Sequence, residues 1–236
     1  MDSIPYEIYK EIFNYLPDVL TVSLVSKLWY SIVNKHYPWN EVVLVVDITG
    51  SVSYWLYISK WIIDNIKDQF SNRRLRFRLV CYTDHDGETE LIISTSLTRN
   101  YTEIKDFVNK IIERGGGDFQ EAVLDGLLEA KNTNWSENAI KTIILCLDAP
   151  PHGRMYYKGS SDAFPDGCPC GLTQKCILPD FFKRDIRLKI MYPFQQSEFL
   201  LDTIKNFRED HPRIEEYPFS TSSVGVLLSD IFKNLK

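Results

Sequence analysis

Residues 41–53 read Glu41-Val42-Val43-Leu44-Val45-Val46-Asp47-Ile48-Thr49-Gly50-Ser51-Val52-Ser53. An apolar run without alternation is the pattern of a strand covered on both faces. It stops at a carboxylate, and oxygen-bearing side chains then recur at every second position as Asp47, Thr49 and Ser51. Three such ligands can converge on one point. That suits a hard divalent cation such as Mg²⁺, which prefers oxygen, keeps several waters and needs only one or two carboxylates. The same residue types are also favoured as helix caps. A helical spacing follows, with Trp55, Ile58, Ile62, Ile66 and Phe70 on one face.

Outward from this stretch, strand and helix patterns alternate. Leu75 to Tyr82 and Leu91 to Thr95 read as strands, and Ile104, Phe107, Val108 and Ile111 mark a helix. Another helix is expected to open at Asp118. Ala139 to Leu147 is an apolar strand ending in Asp148, and Ile186 to Tyr192 another, followed by a helix through Phe199, Leu200, Ile204 and Phe207. Ile214 to Phe219 reads as an edge strand, and Val224, Leu227, Leu228, Ile231, Phe232 and Leu235 form a last amphipathic stripe. Such alternation implies an α/β fold, a doubly wound and mostly parallel, Rossmann-like sheet. The longest irregular stretch, Ala149 to Gly171, follows a strand's carboxyl end, where open α/β sheets place ligands.

The pattern changes near Pro38-Trp39-Asn40, dividing the chain into a small all-α segment at 1–39 and a domain at 40–236. Three short helical segments before the division carry Ile8, Ile12 and Leu16, then Leu20 and Leu24, then Leu28, Trp29 and Ile32. A core that small needs a partner or the next domain to cover it.

The composition is that of an ordinary globular chain, with 44% hydrophobic and 25% charged residues among 236. A net charge of −5 gives no electrostatic footprint for nucleic acid, and the basic run Arg73-Arg74-Leu75-Arg76-Phe77-Arg78 is expected to start a strand with a solvated face. No secretory leader or membrane-length apolar run is present, so the expected setting is cytoplasmic or nuclear, without a membrane partner. Five cysteines, an odd number, argue against a disulfide framework.

Two further loops join the first. Gly115-Gly116-Gly117-Asp118-Phe119-Gln120-Glu121-Ala122 precedes a helix, and Leu145-Cys146-Leu147-Asp148-Ala149-Pro150-Pro151-His152-Gly153 ends a strand. Together the three loops, in this order, resemble the metal-ion-dependent adhesion site of von Willebrand factor A (VWA) domains, over about Asn40 to the C-terminus. The resemblance implies a divalent cation, Mg²⁺ in the first instance, at Asp47, Thr49, Ser51, Asp118 and Asp148. Many VWA domains have Thr where this chain has Asp118, and Asp118 with Glu121 also reads as a capping box, so ligand and cap both stand for that position. The Gly-Gly-Gly-Asp, Asp-Ala-Pro-Pro-His-Gly and Tyr82-Thr83-Asp84-His85 segments are most similar to the VWA subgroup found beside alpha-type kinases. The chain ends at Lys236, directly after the last expected helix, so a kinase domain and its activity are not expected.

Other reactive residues read more plainly. His85, between Asp84 and Asp86, is expected to be an exposed loop residue, and His152 to order its loop beside the metal site. Cys168, Cys170 and Cys176 with His152 contain the elements of a zinc site, but the spacing lacks a paired C-x-x-C and free loop thiols are expected. Gly115 to Gly117 lacks the Gly-Lys-Ser/Thr of a nucleotide cradle.

Ile4-Pro5-Tyr6-Glu7-Ile8-Tyr9-Lys10-Glu11-Ile12-Phe13-Asn14-Tyr15-Leu16 and Leu24-Val25-Ser26-Lys27-Leu28-Trp29-Tyr30 resemble the elements of an F-box. That resemblance implies docking to the Skp adaptor of an SCF-type ubiquitin ligase through Pro5, Ile8, Ile12, Leu16, Leu20, Leu24 and Trp29. The expected function is a non-enzymatic adaptor that recruits an unidentified protein substrate through the metal-binding domain. The alternatives are a metal-dependent binding module with no ubiquitin role and a metal-dependent hydrolase. The hydrolase needs two close metals or a metal-bound water with a base, and the sequence offers one metal site and no convincing base.

Overall fold

The computed structural model describes residues 38–50, 57–60, 75–85, 90–112, 117–159 and 162–219. Six strands form one sheet: β1 (Asn40–Asp47), β2 (Leu75–Tyr82), β3 (Ile92–Ser94), β4 (Ile140–Cys146), β5 (Ile186–Pro193) and β6 (Glu215–Phe219). Helices α1 (Tyr101–Lys110), α2 (Val123–Lys131), α3 (Leu178–Lys183) and α4 (Ser197–Asp210) lie between them, and residues 57–60 are also helical. Ser51, most of the helix expected after it, the C-terminal stripe and residues 1–37 of the N-terminal segment, with Pro5, Ile8, Ile12, Leu16, Leu20, Leu24 and Trp29, lie outside the described residues. No helix among the described residues is long and apolar enough to cross a membrane.

Across the sheet the order is β3-β2-β1-β4-β5-β6, parallel throughout except that β3 runs antiparallel to β2. β1 therefore lies at the centre with β2 on one side and β4 on the other. The direction of winding reverses there, which makes the β1/β4 gap the topological switch point where a crevice opens beyond the carboxyl ends. Register aligns those ends. Val46 stands beside both Cys81 and Cys146, so the residues that follow β1, β2 and β4 emerge on the same edge of the sheet.

Burial on both faces explains the unbroken apolar run. Val42, Leu44 and Val46 pack with Ile58 and with Ile104 and Val108 of α1. Val43 and Val45 face the opposite layer, built from Val123, Leu124 and Leu127 of α2, Phe181 of α3, and Leu200, Ile204 and Phe207 of α4. Each such side chain contributes about 1.5–3 kcal/mol relative to leaving it in water. α2 approaches the sheet closely at Gly126, where a Cβ would meet Tyr82 Cδ1 at 2.7 Å and Val45 Cγ1 at 3.1 Å. A fully buried ring has no room to yield, so this contact requires glycine.

At Arg76 and Arg78, the described basic residues of the run, the strand departs from its expected solvated face. Arg76 pairs with the buried carboxylate of Glu41. Arg78 donates from Nε to Thr95 O at 2.8 Å and from Nη1 to Thr133 Oγ1 at 2.7 Å, and it pairs with Glu129 of α2. These guanidinium groups hold β2 to its neighbours, a role that β-strand alternation alone does not disclose.

Candidate metal centre

β1 delivers Asp47 to the switch point almost completely buried, at 1% exposure. The chain then turns tightly: Thr49 N donates to Asp47 Oδ1 at 2.7 Å, and the Thr49 hydroxyl lies 2.7 Å from the same oxygen. That hydroxyl also lies 2.7 Å from Glu121 Oε1. One hydroxyl proton serves one of these contacts at a time, so the Thr49 hydroxyl is shared between the Asp47 and Glu121 carboxyl groups.

Glu121 is placed by a backbone bridge rather than by a helix. Its N–H donates to Pro150 O at 3.0 Å, and Ala122 N–H donates to Thr83 O at 3.2 Å, so the segment before α2 ties the end of β2 to the loop after β4. The helix expected to open at Asp118 begins at Val123 for this reason, and Ala122 at its start makes no side-chain cap. The capping-box reading is thereby corrected: Asp118 accepts from Gln120 N at 2.9 Å with one oxygen and from Ala163 N with the other, ordering two loops.

Asp84 and Asp148 each lie two residues beyond a strand end, after β2 and β4, and both are buried. Burial first, then the negative charge of Asp148, raises the Asp47 carboxyl to about 7. Burial, then Asp47, raises Glu121 to about 10, with Asp84 and Asp148 adding to the effect. The Tyr82 phenol beneath them is pushed up by burial and by Asp47, Asp148 and Glu121 in turn. These four carboxylates thus act on one another in a dry setting, where unneutralised charge is costly.

The donor set fits a divalent cation. Glu121 Oε2 and both polar atoms of the Gln120 side chain are buried without a hydrogen-bond partner. Asp47, Thr49, Glu121 and Asp148 offer only oxygen, the preference of a hard ion that keeps several waters. Of the sequence candidates, the structure brings Asp47, Thr49 and Asp148 to the switch point. Ser51 lies outside the described residues, and Asp118 instead lies within reach of Asp84 and His152.

His152 is buried between two carboxylates, with Nε2 2.6 Å from Asp84 Oδ1 and Nδ1 2.8 Å from Asp162 Oδ1. Burial opposes its charge, but hydrogen bonds to Asp84 and Asp162 outweigh that and raise its pKa. Asp162 also accepts from Gly153 N at 2.7 Å and Phe164 N at 2.8 Å, so the His152 side chain fastens the long loop after β4 to the end of β2. His85 departs from the expected exposed position: its side chain is 7% exposed and contacts α2 and that long loop. Sequence reading missed Glu121, Asp84 and Asp162 as site residues. The available signal was positional for Asp84, which follows its strand by the same two residues as Asp148 follows β4.

Known proteins resemble this chain in its N-terminal segment and in its fold. Residues 1–45 match the F-box-like family. Over 158 residues the chain is 28% identical to the alpha-protein kinase vwkA of Dictyostelium discoideum, covering 65% of this chain and 24% of that protein. The chain thus spans about a quarter of that relative's length. Proximal thread matrix protein 1 from the mussel byssus superposes with a TM-score of 0.55 at 15% identity, over 82% of this chain and 44% of that one. The SpRpn10 VWA domain superposes with a TM-score of 0.51 at 11% identity, over 81% of this chain and 95% of that one. The described residues carry the fold of a von Willebrand factor A domain, and the chain's N-terminal segment is F-box-like.

Proposed function

We propose that the chain is a non-enzymatic substrate adaptor of an SCF-type ubiquitin ligase, cytoplasmic or nuclear, whose F-box segment docks to a Skp adaptor and whose VWA domain recruits a protein partner. The observation that carries the first half is the F-box-like match over residues 1–45. The second half rests on the buried carboxylates of Asp47, Glu121 and Asp148 at the switch point. Asp47, Thr49 and Asp148, with Ser51 from the same loop, would hold Mg²⁺, and the ion would supply a Lewis-acidic point for a partner's carboxylate to complete.

Purified Skp adaptor is expected to be retained by the full chain. Ile12→Asp, which puts a charge on the docking stripe, is expected to weaken retention at least about tenfold, and Trp29→Ala to weaken it by a similar factor, as for buried anchor residues at an interface. Absence of retention, or retention that neither variant reduces, contradicts the adaptor reading. Cation binding that persists alongside such a failure supports the second reading, a metal-dependent binding module without a ubiquitin role, which the carboxylate cluster favours independently of residues 1–45.

A further inference from the structure

A cluster of imidazole, carboxylate and thiol groups borders the long loop after β4, apart from the all-oxygen centre. His85 follows β2, Asp125 sits in the first turn of α2, and Cys168 and Cys170 come from the loop. The Nε2 of His85, a carboxylate oxygen of Asp125 and the two Sγ atoms all lie within 4.8 Å of one another. His85 Nε2 is 3.0 Å from Asp125 Oδ2, and Cys168 Sγ is 3.4 Å from each of them.

Tetrahedral zinc with Zn–S of about 2.3 Å and Zn–N or Zn–O of about 2.0 Å places its donors roughly 3.3–3.8 Å apart. The three observed separations lie near those edges. A hydrogen-bonded trio of His85, Asp125 and Cys168 has no need of a second thiol, yet the chain supplies one by a device of its own. Cys168-Pro169-Cys170-Gly171 is a turn closed by Gly171 N donating to Cys168 O at 2.9 Å. Proline suits its second position, and Gly171 at its end takes φ +71°. That turn carries both thiols to the same point.

We infer that His85, Asp125, Cys168 and Cys170 form a structural zinc site that fastens the loop after β4 to the end of β2 and the start of α2. Four protein donors close the coordination sphere, the arrangement of a structural rather than a catalytic zinc. Thiolate donors select this soft-tolerant ion and disfavour Mg²⁺, so the two centres divide by donor chemistry. Binding replaces the two thiol protons by the metal. His85 and Asp125 are nearly buried while Cys170 is exposed, which leaves an entry path from solvent. The ring of His85 is held edge-on by Phe164 at 5.9 Å. Cys176 stands outside the set, exposed and 3.4 Å from the Thr173 hydroxyl, and His152 is engaged by Asp84 and Asp162. The zinc donors considered from sequence, Cys168, Cys170, Cys176 and His152, are thus re-sorted.

The test is titration of the reduced full chain with Zn²⁺ against a chromophoric chelator, and with Co²⁺ followed by absorption. One tight zinc per chain is expected, with a thiolate-to-cobalt charge-transfer band and tetrahedral d–d bands. Cys170→Ser, a change at an exposed position, lowers zinc affinity at least about 100-fold and weakens the charge-transfer band, since even outer-shell changes cost 10–100-fold. Cys176→Ser leaves both unchanged. A cobalt spectrum without thiolate charge transfer, or a band that survives Cys170→Ser and disappears in Cys176→Ser, overturns the inference.

Discussion

Replacing Asp47 by Asn is expected to stabilise the cation-free protein at pH 8 while removing its divalent-cation binding. Asn keeps the Oδ1 acceptor for Thr49 N–H and hydroxyl, so the turn after β1 survives. What it removes is a buried negative charge beside Asp148 and Asp84, the groups that together with burial raise Asp47 to about 7. At pH 8 that charge is present and unfavourable, and Glu121, itself raised in part by Asp47, is relieved at the same time. The gain is on the order of 2 kcal/mol, or about 4–8 °C in melting temperature for a domain of this size. It shrinks as the pH falls through about 7 and vanishes only below the free carboxyl value of 3.8, where the group is protonated in both states. Thermal unfolding in chelator reads this directly. A variant that melts lower than wild type at pH 8 contradicts the account of a strained carboxylate cluster.

The wild-type protein without cations is expected to lose stability as the pH rises from about 4 towards 10. Asp47 and Glu121 have folded-state values of about 7 and about 10, above the ordinary values of 3.8 and 4.5 for free carboxyl groups. Between those limits the native state binds more protons than the unfolded state, so stability is greatest below the unfolded values and falls as pH rises through the folded ones. His152, raised by Asp84 and Asp162, contributes with the same sign. Mg²⁺ competes with these protons, so its stabilising effect grows over the same window, and saturation at about 100 times its Kd adds about 2.7 kcal/mol. Melting curves at pH 5.5 and 8, each with chelator and with Mg²⁺, check it. Equal Mg²⁺ stabilisation at both values contradicts proton-cation competition.

The fold was legible because its central strand is covered on both sides. Val42 to Val46 have no polar side to show, and the only arrangement that covers both faces of a parallel strand is helices above and below the sheet. Strand ends were legible too: Leu75 and Tyr82 bound both the strand expected from sequence and β2. The switch point is a property of strand order, which a linear pattern does not carry, yet Asp47 and Asp148 mark it because each ends an apolar run. Glu121 was hidden because its position depends on backbone hydrogen bonds to Pro150 and Thr83, from segments remote in the chain. Asp118 misled for a related reason. A carboxylate three residues before another resembles a helix start, and the bridge to β2 and β4 delays α2 to Val123. His85 has no sequence feature that distinguishes an exposed loop imidazole from one pressed against α2. Its neighbours Asp125 and Cys168 are 40 and 83 positions away.

The most direct measurement of the central claim is calorimetric titration of Mg²⁺ into the full chain beside Asp47→Ala and Asp118→Ala. Saturable heat is expected for wild type and none for Asp47→Ala. Asp118→Ala is expected to bind more weakly yet measurably, because Asp118 spends its oxygens on Gln120 and Ala163 backbone N–H groups. Identical heats for all three proteins would contradict a metal centre at the carboxyl end of β1.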